Sequence, residues 1–173
     1  MQELTITTEH HLRKHLHHDV LGIDPGPRES AYCCYKFGRV FSAGKVENET
    51  MLNCLRSWPI ADLSAVVIET IFPRGTSVGL ETMDTQFVAG RFAEICESAG
   101  ASWHKIDRQD VRFAICGSLQ TNDASVRQAL LDMWGGNKEA IGTKKQPGPL
   151  KSIKADMWSA LAIAVAWQLR RVR

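Results

Sequence analysis

Hydrophobic and polar positions along this chain switch between the strand period and the helix period. Residues 20–24, Val-Leu-Gly-Ile-Asp, form an apolar run closed by one acid and then by Pro25-Gly26. That pattern predicts a buried strand leaving the core at Asp24. Residues 30–37 (SAYCCYKF) predict a second strand, Gly38-Arg39 a tight turn, and 40–46 a third, antiparallel strand. Residues 48–58 predict a helix with Met51, Leu52 and Leu55 on one face, ended by Pro59. Residues 64–69, rich in Val and Ile, predict a fully buried strand that ends on Glu69. A long helix is expected over 78–98, with Leu80, Met83, Phe87, Phe92, Ile95 and Ala99 as its core stripe and Gly100 as terminator. A fifth strand at 101–106 and helices at 109–115 and 123–134 follow. Residues 137–154 carry Gly, Pro and Lys and predict a loop. The last helix is expected over 153–172, with Asp156 near its start and Met157, Leu161, Ala164, Val165, Leu169 and Val172 facing the core.

This order, β-β-β-α-β-α-β-α and further helices, predicts an α/β fold. Three antiparallel strands followed by crossover strands give a mixed five-stranded sheet flanked by helices. The 173 residues suffice for one domain. Residues 1–19 are expected to be a polar extension, carrying five of the six histidines in 10–18, and residues 20–173 the domain itself. The histidines show no metal-ligand spacing, and Arg13 and Lys14 are at most weak DNA contacts.

Composition narrows the class. A net charge of +2 and 44% hydrophobic residues are ordinary for a water-soluble globular protein. Cys33, Cys34, Cys54, Cys96 and Cys116 are odd in number, lack a CxxC pair and mostly sit among apolar neighbours. They read as reduced core residues in a cytoplasmic protein. No apolar run reaches the roughly 20 residues a membrane span requires, and the polar N-terminus does not resemble a secretory signal.

The candidate chemistry lies at the ends of the buried elements. Asp24, Glu69 and Asp156 come from distant parts of the chain, each at the lip of an apolar element. The topology puts the first and fourth strands side by side, so Asp24 and Glu69 become neighbours and the last helix can add Asp156. Carboxylates that close resist ionisation unless a cation joins them. Oxygen ligands alone favour Mg²⁺, with Mn²⁺ able to substitute. Two such ions about 4 Å apart activate a water and stabilise the leaving oxygen of a phosphodiester. Asp24 would bridge both, with Glu69 on one and Asp156 on the other. Arg74, Lys144, Lys145, Lys151 and Lys154 flank two of the acids and are expected to meet DNA phosphates. Asp107 and Asp110 read as helix-start acids, and His104 and Trp103, Trp134, Trp158 and Trp167 as packing residues.

LGIDPG (21–26), VVIE (66–69) with Phe72 three residues beyond its acid, and DMWSALAIAVAW (156–167) resemble the RuvC family of Holliday-junction resolvases. DRQDVR, a following Cys-Gly and NDASV resemble the family's intervening segment, so the match runs in order over about 20–165. GTKKQPGPL and WSALA resemble phage-encoded members most. The resemblance implies an RNase H-like fold and a homodimeric, metal-dependent endonuclease that nicks opposed strands of a four-way junction. It implies catalytic and metal-binding roles for Asp24, Glu69 and Asp156. It also implies base stacking by Phe72 and places Arg112 near a basic residue close to the scissile phosphate. The long helix after Phe72 becomes the candidate dimer face.

Two positions depart from the family pattern. Ser159 stands where an acid is usual one turn after the third acid, leaving a weak metal ligand. A basic residue usual near Asp123 is missing, and Lys144, Lys145, Lys151 and Lys154 are the candidates to replace its charge. The alternatives are a less selective nuclease of forks, flaps or host DNA, and a junction-binding protein with weakened catalysis. An actin-like ATPase is remote, because the chain is short for two lobes and shows no second phosphate loop.

Overall fold

The computed structural model describes residues 19–72, Gly75 and 78–171. Arg74, the histidines of 10–18, Arg13, Lys14 and Val172 lie outside the described residues, so the expectations placed on them are not addressed by it.

Five strands form one sheet: β1 (Val20–Asp24), β2 (Glu29–Lys36), β3 (Arg39–Glu47), β4 (Ala65–Thr70) and β5 (Trp103–Asp107). Their spatial order is β3-β2-β1-β4-β5. The β1–β2 and β2–β3 pairs are antiparallel, and β1–β4 and β4–β5 are parallel. The expected mixed five-stranded sheet is therefore the observed one. Helices α1 (Asn48–Ser57), α2 (Leu80–Ser98), α3 (Arg108–Cys116), α4 (Asp123–Met133), α5 (Asn137–Ile141) and α6 (Met157–Arg171) cover it.

Strand parity divides the core in two. Leu21, Ile23, Val66 and Ile68 point to the side of α1 and α2, where they meet Met51, Leu52, Leu55 and Phe92. Val20, Ala65, Val67 and Ala31 point to the other side, against α6 with α3 and α4 beyond it. Central strands buried on both faces explain the continuous apolar runs of β1 and β4. α6 is buried all round from Ala160 to Ala166, wider than the single stripe expected, because it lies between the sheet and two outer helices.

Gly22 sets how closely α6 approaches. A Cβ there would sit 2.3 Å from the Ala160 carbonyl oxygen and 2.9 Å from the Ala164 nitrogen. Helix backbone thus lies directly on β1, as the alternate alanines of α6 permit.

Three expectations need correction. α6 begins at Met157, not 153, because Ala155 takes a left-handed φ of 42° that no helix interior allows. Residues 137–154 are not all loop: α5 forms, Gly142 bridges Pro147, and Ala140, Leu150 and Ile153 are buried anchors. The α2 stripe is misassigned in its first half and at its end. Thr85, Val88, Ala89, Phe92, Ile95 and Cys96 face the core, while Leu80, Met83, Phe87 and the terminal Ala99 are exposed. Both faces of α2 are apolar there, so periodicity cannot choose between them. The β2–β3 ladder also slips by one at Cys34/Tyr35, leaving Phe41 as the extra residue of β3.

Candidate active site

Asp24 and Glu69 meet through strand parity. Asp24 follows Val20 and Gly22 on the α6 side of β1, and Glu69 follows Ala65 and Val67 on the same side of β4. The parallel register runs Val20↔Ala65 through Ile23↔Ile68, so Asp24 and Glu69 occupy the next rung, where both strands leave the core. Ligand sites at the carboxyl ends of parallel strands are a general feature of such sheets.

A buried polar triad shapes the turn after Asp24. Ser30 Oγ donates to Asn48 Oδ1 at 2.6 Å, Asn48 Nδ2 donates to the Gly26 carbonyl at 3.0 Å, and the Gly26 N–H donates to Ser30 Oγ at 3.3 Å. Buried groups that satisfy one another in this way give a turn one conformation. Gly26 admits no side chain, since a Cβ would lie 2.4 Å from the Glu29 carbonyl.

Burial raises the Asp24 carboxyl from 3.8 to about 7, with the charge of Glu69 and then Asp156 adding to the rise and Arg108 opposing it. A side-chain hydrogen bond joins Asp24 and Glu69. A buried carboxyl that keeps its proton beside a second acid occupies a place where a cation can take the proton's role. Glu69 is 7% exposed and is gripped by Arg108, with Nε at 3.3 Å from Oε1 and Nη2 at 3.1 Å from Oε2. That two-point contact aims the carboxylate as well as neutralising it.

Asp156 lies one residue before α6, exposed, and is held by Lys45 of β3 at 2.9 Å. Lys45 also reaches Glu29 at 3.1 Å. Among the described residues, no three Asp, Glu, His or Cys side chains are grouped closely enough to hold a metal ion. Asp24 and Glu69 are thus brought together, and Asp156 lines the same cleft as Glu69 without joining them. Ser159 also lines that cleft, half-buried. The Asp24–Glu69 pair suits a hard cation held by oxygen, and the charge of Asp156 reaches Asp24 from the cleft wall.

The cleft, about 590 Å³, is walled by cations. Arg112 lines it and pairs with Asp123 at 3.0 Å. Arg127 lines it and stacks over the Trp158 ring at 4.9 Å. Arg127 stands one helical turn after Ala124, so α4 does present a basic residue here despite the gap near Asp123. Lys151 and Lys154 are exposed and share an adjoining hollow with Arg127 and Lys138. Lys144 and Lys145 are exposed on the loop between α5 and α6 and line neither hollow.

Phe72 is 53% exposed and shares a second hollow, about 410 Å³, with Asp24, Glu69 and Arg112. Asp107 caps α3 by accepting from Gln109 N–H at 2.6 Å, and Asp110 pairs with Arg170 at 2.8 Å, so both act as helix-start acids. His104 stacks on Trp167 at 4.2 Å, a packing role.

Sequence reasoning missed Arg108, Arg127 and Lys45. Arg108 carries a readable signal: it follows the capping acid at the end of β5, the strand beside Glu69. Arg127 shares its polar character with any surface helix position. Lys45 required the β2–β3 register.

No helix among the described residues is long and apolar enough to cross a membrane. No protein-family model matches the sequence, and no curated protein matches it in sequence. Solved structures do match. RuvC of Thermus thermophilus aligns at 17% identity over 88% of this chain and 95% of its own, with a TM-score of 0.61. The same protein in complex with a Holliday junction substrate aligns at 16% over 90% and 96%, with a TM-score of 0.62. The yeast mitochondrial Holliday junction resolvase Ydc2 aligns at 14% over 94% and 89%, with a TM-score of 0.58. The chain therefore has the RNase H-like fold of the RuvC-type resolvases, from its edge hairpin to its buried last helix.

Proposed function

We propose that the chain is a divalent-metal-dependent endodeoxyribonuclease that resolves four-way DNA junctions. The observation that carries this reading is the hydrogen-bonded Asp24–Glu69 pair, set beside a cleft walled by Arg108, Arg112 and Arg127. The fold match adds weight, because one matched protein is a RuvC bound to a Holliday junction.

Asp24 and Glu69 would hold the cation, Mg²⁺ by preference and Mn²⁺ in its place. A bound cation supplies Lewis-acid activation of water and neutralises charge on the phosphate. The reaction is hydrolysis, in which water oxygen adds to phosphorus and the bond to the leaving sugar oxygen breaks. No Ser or Cys nucleophile is required. Arg108 keeps Glu69 aimed across the end of β4. Arg112, Arg127, Lys151 and Lys154 offer phosphate contacts along the cleft and its neighbouring hollow, which fix the position of DNA without reading sequence. Lys144, Lys145 and Arg74 would extend that track. Asp156 and Ser159 complete the cleft wall.

Phe72 suits base stacking where strands part, since an aromatic that is half exposed beside the acids has no core to fill. Phe72→Ala is expected to weaken junction binding by about 10-fold, the 1–3 kcal/mol range of a base stack, and to leave duplex binding unchanged. Gel-shift titrations with both substrates check this; equal loss on both would remove the stacking role.

The exposed Leu80, Met83 and Phe87 of α2 form one apolar face at helical spacing. A second copy of the chain is the occupant this reading assigns to it, because symmetric cutting of opposed strands needs two sites. Residues 20–173 would then be the nuclease domain and 1–19 a polar extension. The loop at 142–150 favours a phage-encoded member, acting in the bacterial cytoplasm.

One further reading has specific support. Lys45 on Asp156, with Ser159 one turn on, fits a junction-binding protein with weakened catalysis. A panel of four-way junction, Y-fork and plain duplex, each with Mg²⁺, Mn²⁺ or Ca²⁺, separates these. Symmetric nicking of the junction in Mg²⁺, abolished by Glu69→Gln with binding retained, is the expected result. Equal cutting of forks or duplex would point to a less selective nuclease. Binding without cutting in any metal would point to the binding protein.

A further inference from the structure

The cleft beside the acids has an apolar floor. Val111 of α3, Val126 and Leu131 of α4, and Trp158 and Ala162 of α6 line it, and all five are core residues. Phosphate contacts want donors and charge, and gain nothing from such a floor. Nor does charge alone assign an occupant: Arg108, Arg112 and Arg127 are matched in number by Glu69, Asp123 and Asp156. An apolar base with a few polar groups around it is instead the make-up of a site for a small ring compound. The volume, about 590 Å³, lies within the range of about 300–1,000 Å³ that such sites occupy.

The polar groups suit a nucleobase. Arg127 sits over the Trp158 ring at 4.9 Å, and that ring is fixed in the floor at 9% exposure. A guanidinium laid on an indole keeps a second plane for another ring, and bases stack on arginine planes in this way. Asn137 and Gln128, the latter donating Nε2 to Asp132 at 2.8 Å, line the same cleft with amides that match base edges. Glu69, Arg108 and Arg112 line both this cleft and the Phe72 hollow, so the two meet at the acids.

We propose that the cleft between α3, α4 and α6 receives one unpaired nucleobase of the strand being cut, seated on the apolar floor against the open plane of Arg127. The proposal rests on the nuclease reading above and names the part of the substrate that this cleft takes. Phe72 stacks a different base, in the other hollow. Drawing a base out of a paired stack costs a few kcal/mol, and least where the base is already unpaired. The cleft therefore favours a branch point over plain duplex at the place where the strand is cut.

Ala124 provides the test. It lines the cleft from the first turn of α4 and is exposed, so Ala124→Trp plugs the cleft without entering the core. Gel-shift titrations of the full chain in chelator, where no strand is cut, use four-way junctions with the base removed from each nucleotide near the crossover in turn. One position is expected at which base removal weakens binding by wild type about 10-fold. Ala124→Trp should weaken binding of the intact junction to the same extent, and bind the junction lacking that base as wild type does. The two losses are thus expected not to add. Ala124→Ser, which leaves the cleft open, should match wild type, and duplex binding should be the same for all three proteins. Circular dichroism checks that each variant is folded. A plug that weakens intact and base-less junctions equally, or weakens duplex binding as much, would overturn the proposal. So would the absence of any base whose removal matters less in Ala124→Trp, with metal-dependent cutting of the junction by wild type leaving the nuclease reading in place. No junction binding by wild type would overturn both.

Discussion

Asp24→Asn is expected to abolish DNA cleavage and, at pH 8 without metal, to make the protein more stable. The loss of cutting should exceed about 10³-fold, equivalent to about 4 kcal/mol of transition-state stabilisation, with junction binding retained. The stability gain follows from the sign of the pKa shift. The folded protein holds the Asp24 proton up to about pH 7, whereas the unfolded chain releases it near its ordinary 3.8. The favourable contribution is therefore fully present below about pH 4 and disappears as pH rises through 7. Above that, an ionised Asp24 beside Glu69 opposes folding, and asparagine removes the charge at nearly constant shape. At about 1.4 kcal/mol per pKa unit the upper bound is about 4 kcal/mol. A melting-temperature rise of roughly 5 °C or more is expected at pH 8, and almost none at pH 4. Differential scanning calorimetry at the two pH values, with chelator, measures it. An unchanged or lower melting temperature at pH 8 would show that the Asp24 carboxylate is not held under electrostatic strain. Function at this position conflicts with stability, as is common where charge is concentrated for chemistry.

The second large effect is expected at Gly22, which touches no substrate. Gly22→Ala drives a methyl group into the Ala160 carbonyl and the Ala164 nitrogen, both backbone atoms of α6 that cannot rotate away. Overpacking usually costs 1–3 kcal/mol, and a clash with backbone belongs at the upper end, about 3 kcal/mol. For a domain of this size the melting temperature should fall by roughly 6–12 °C. Relief requires α6 to move off β1, and with it Ser159 of its first turn and Asp156 just before it, both in the cleft with Glu69. Cleavage should consequently fall even below the melting transition, where the chain is still folded. Gly90→Ala, in the exposed face of α2 with nothing within 4 Å of the added methyl, is the control. It should raise stability by about 0.4–1 kcal/mol. A Gly22→Ala protein as stable as wild type would mean that the close approach of α6 is not required.

The two strands that build the centre were legible because their physics is local. β1 ends at Asp24 since Pro25-Gly26 cannot continue a ladder, and Glu69 follows a short Val- and Ile-rich run buried on both faces. Parity and parallel order then place both acids on one rung, and the sequence carries both. Cleft residues recruited by tertiary folding were not legible. Arg108 meets Glu69 across 39 positions of chain, and its neighbours in sequence say nothing of which way it turns. The Ser30–Asn48–Gly26 triad joins a strand, a helix start and a turn, and each member taken singly looks like an ordinary cap or turn residue. α2 misled for a different reason: Leu80, Met83 and Phe87 are as periodic as a buried stripe, and periodicity measures amphipathicity without saying what covers the apolar side.

The single surplus residue in β3 has a topological consequence for Lys45. From Lys36↔Arg39 at the hairpin turn, an uninterrupted ladder would set Ala31 opposite Gly44 and turn Lys45 toward α1. Phe41 offsets the count by one, which inverts the sidedness of every later β3 residue and delivers Lys45 to the acids. The electrostatics of the centre are thus keyed to an insertion at the far end of a hairpin. A chain one residue shorter there would keep the same lysine and aim it at the opposite layer.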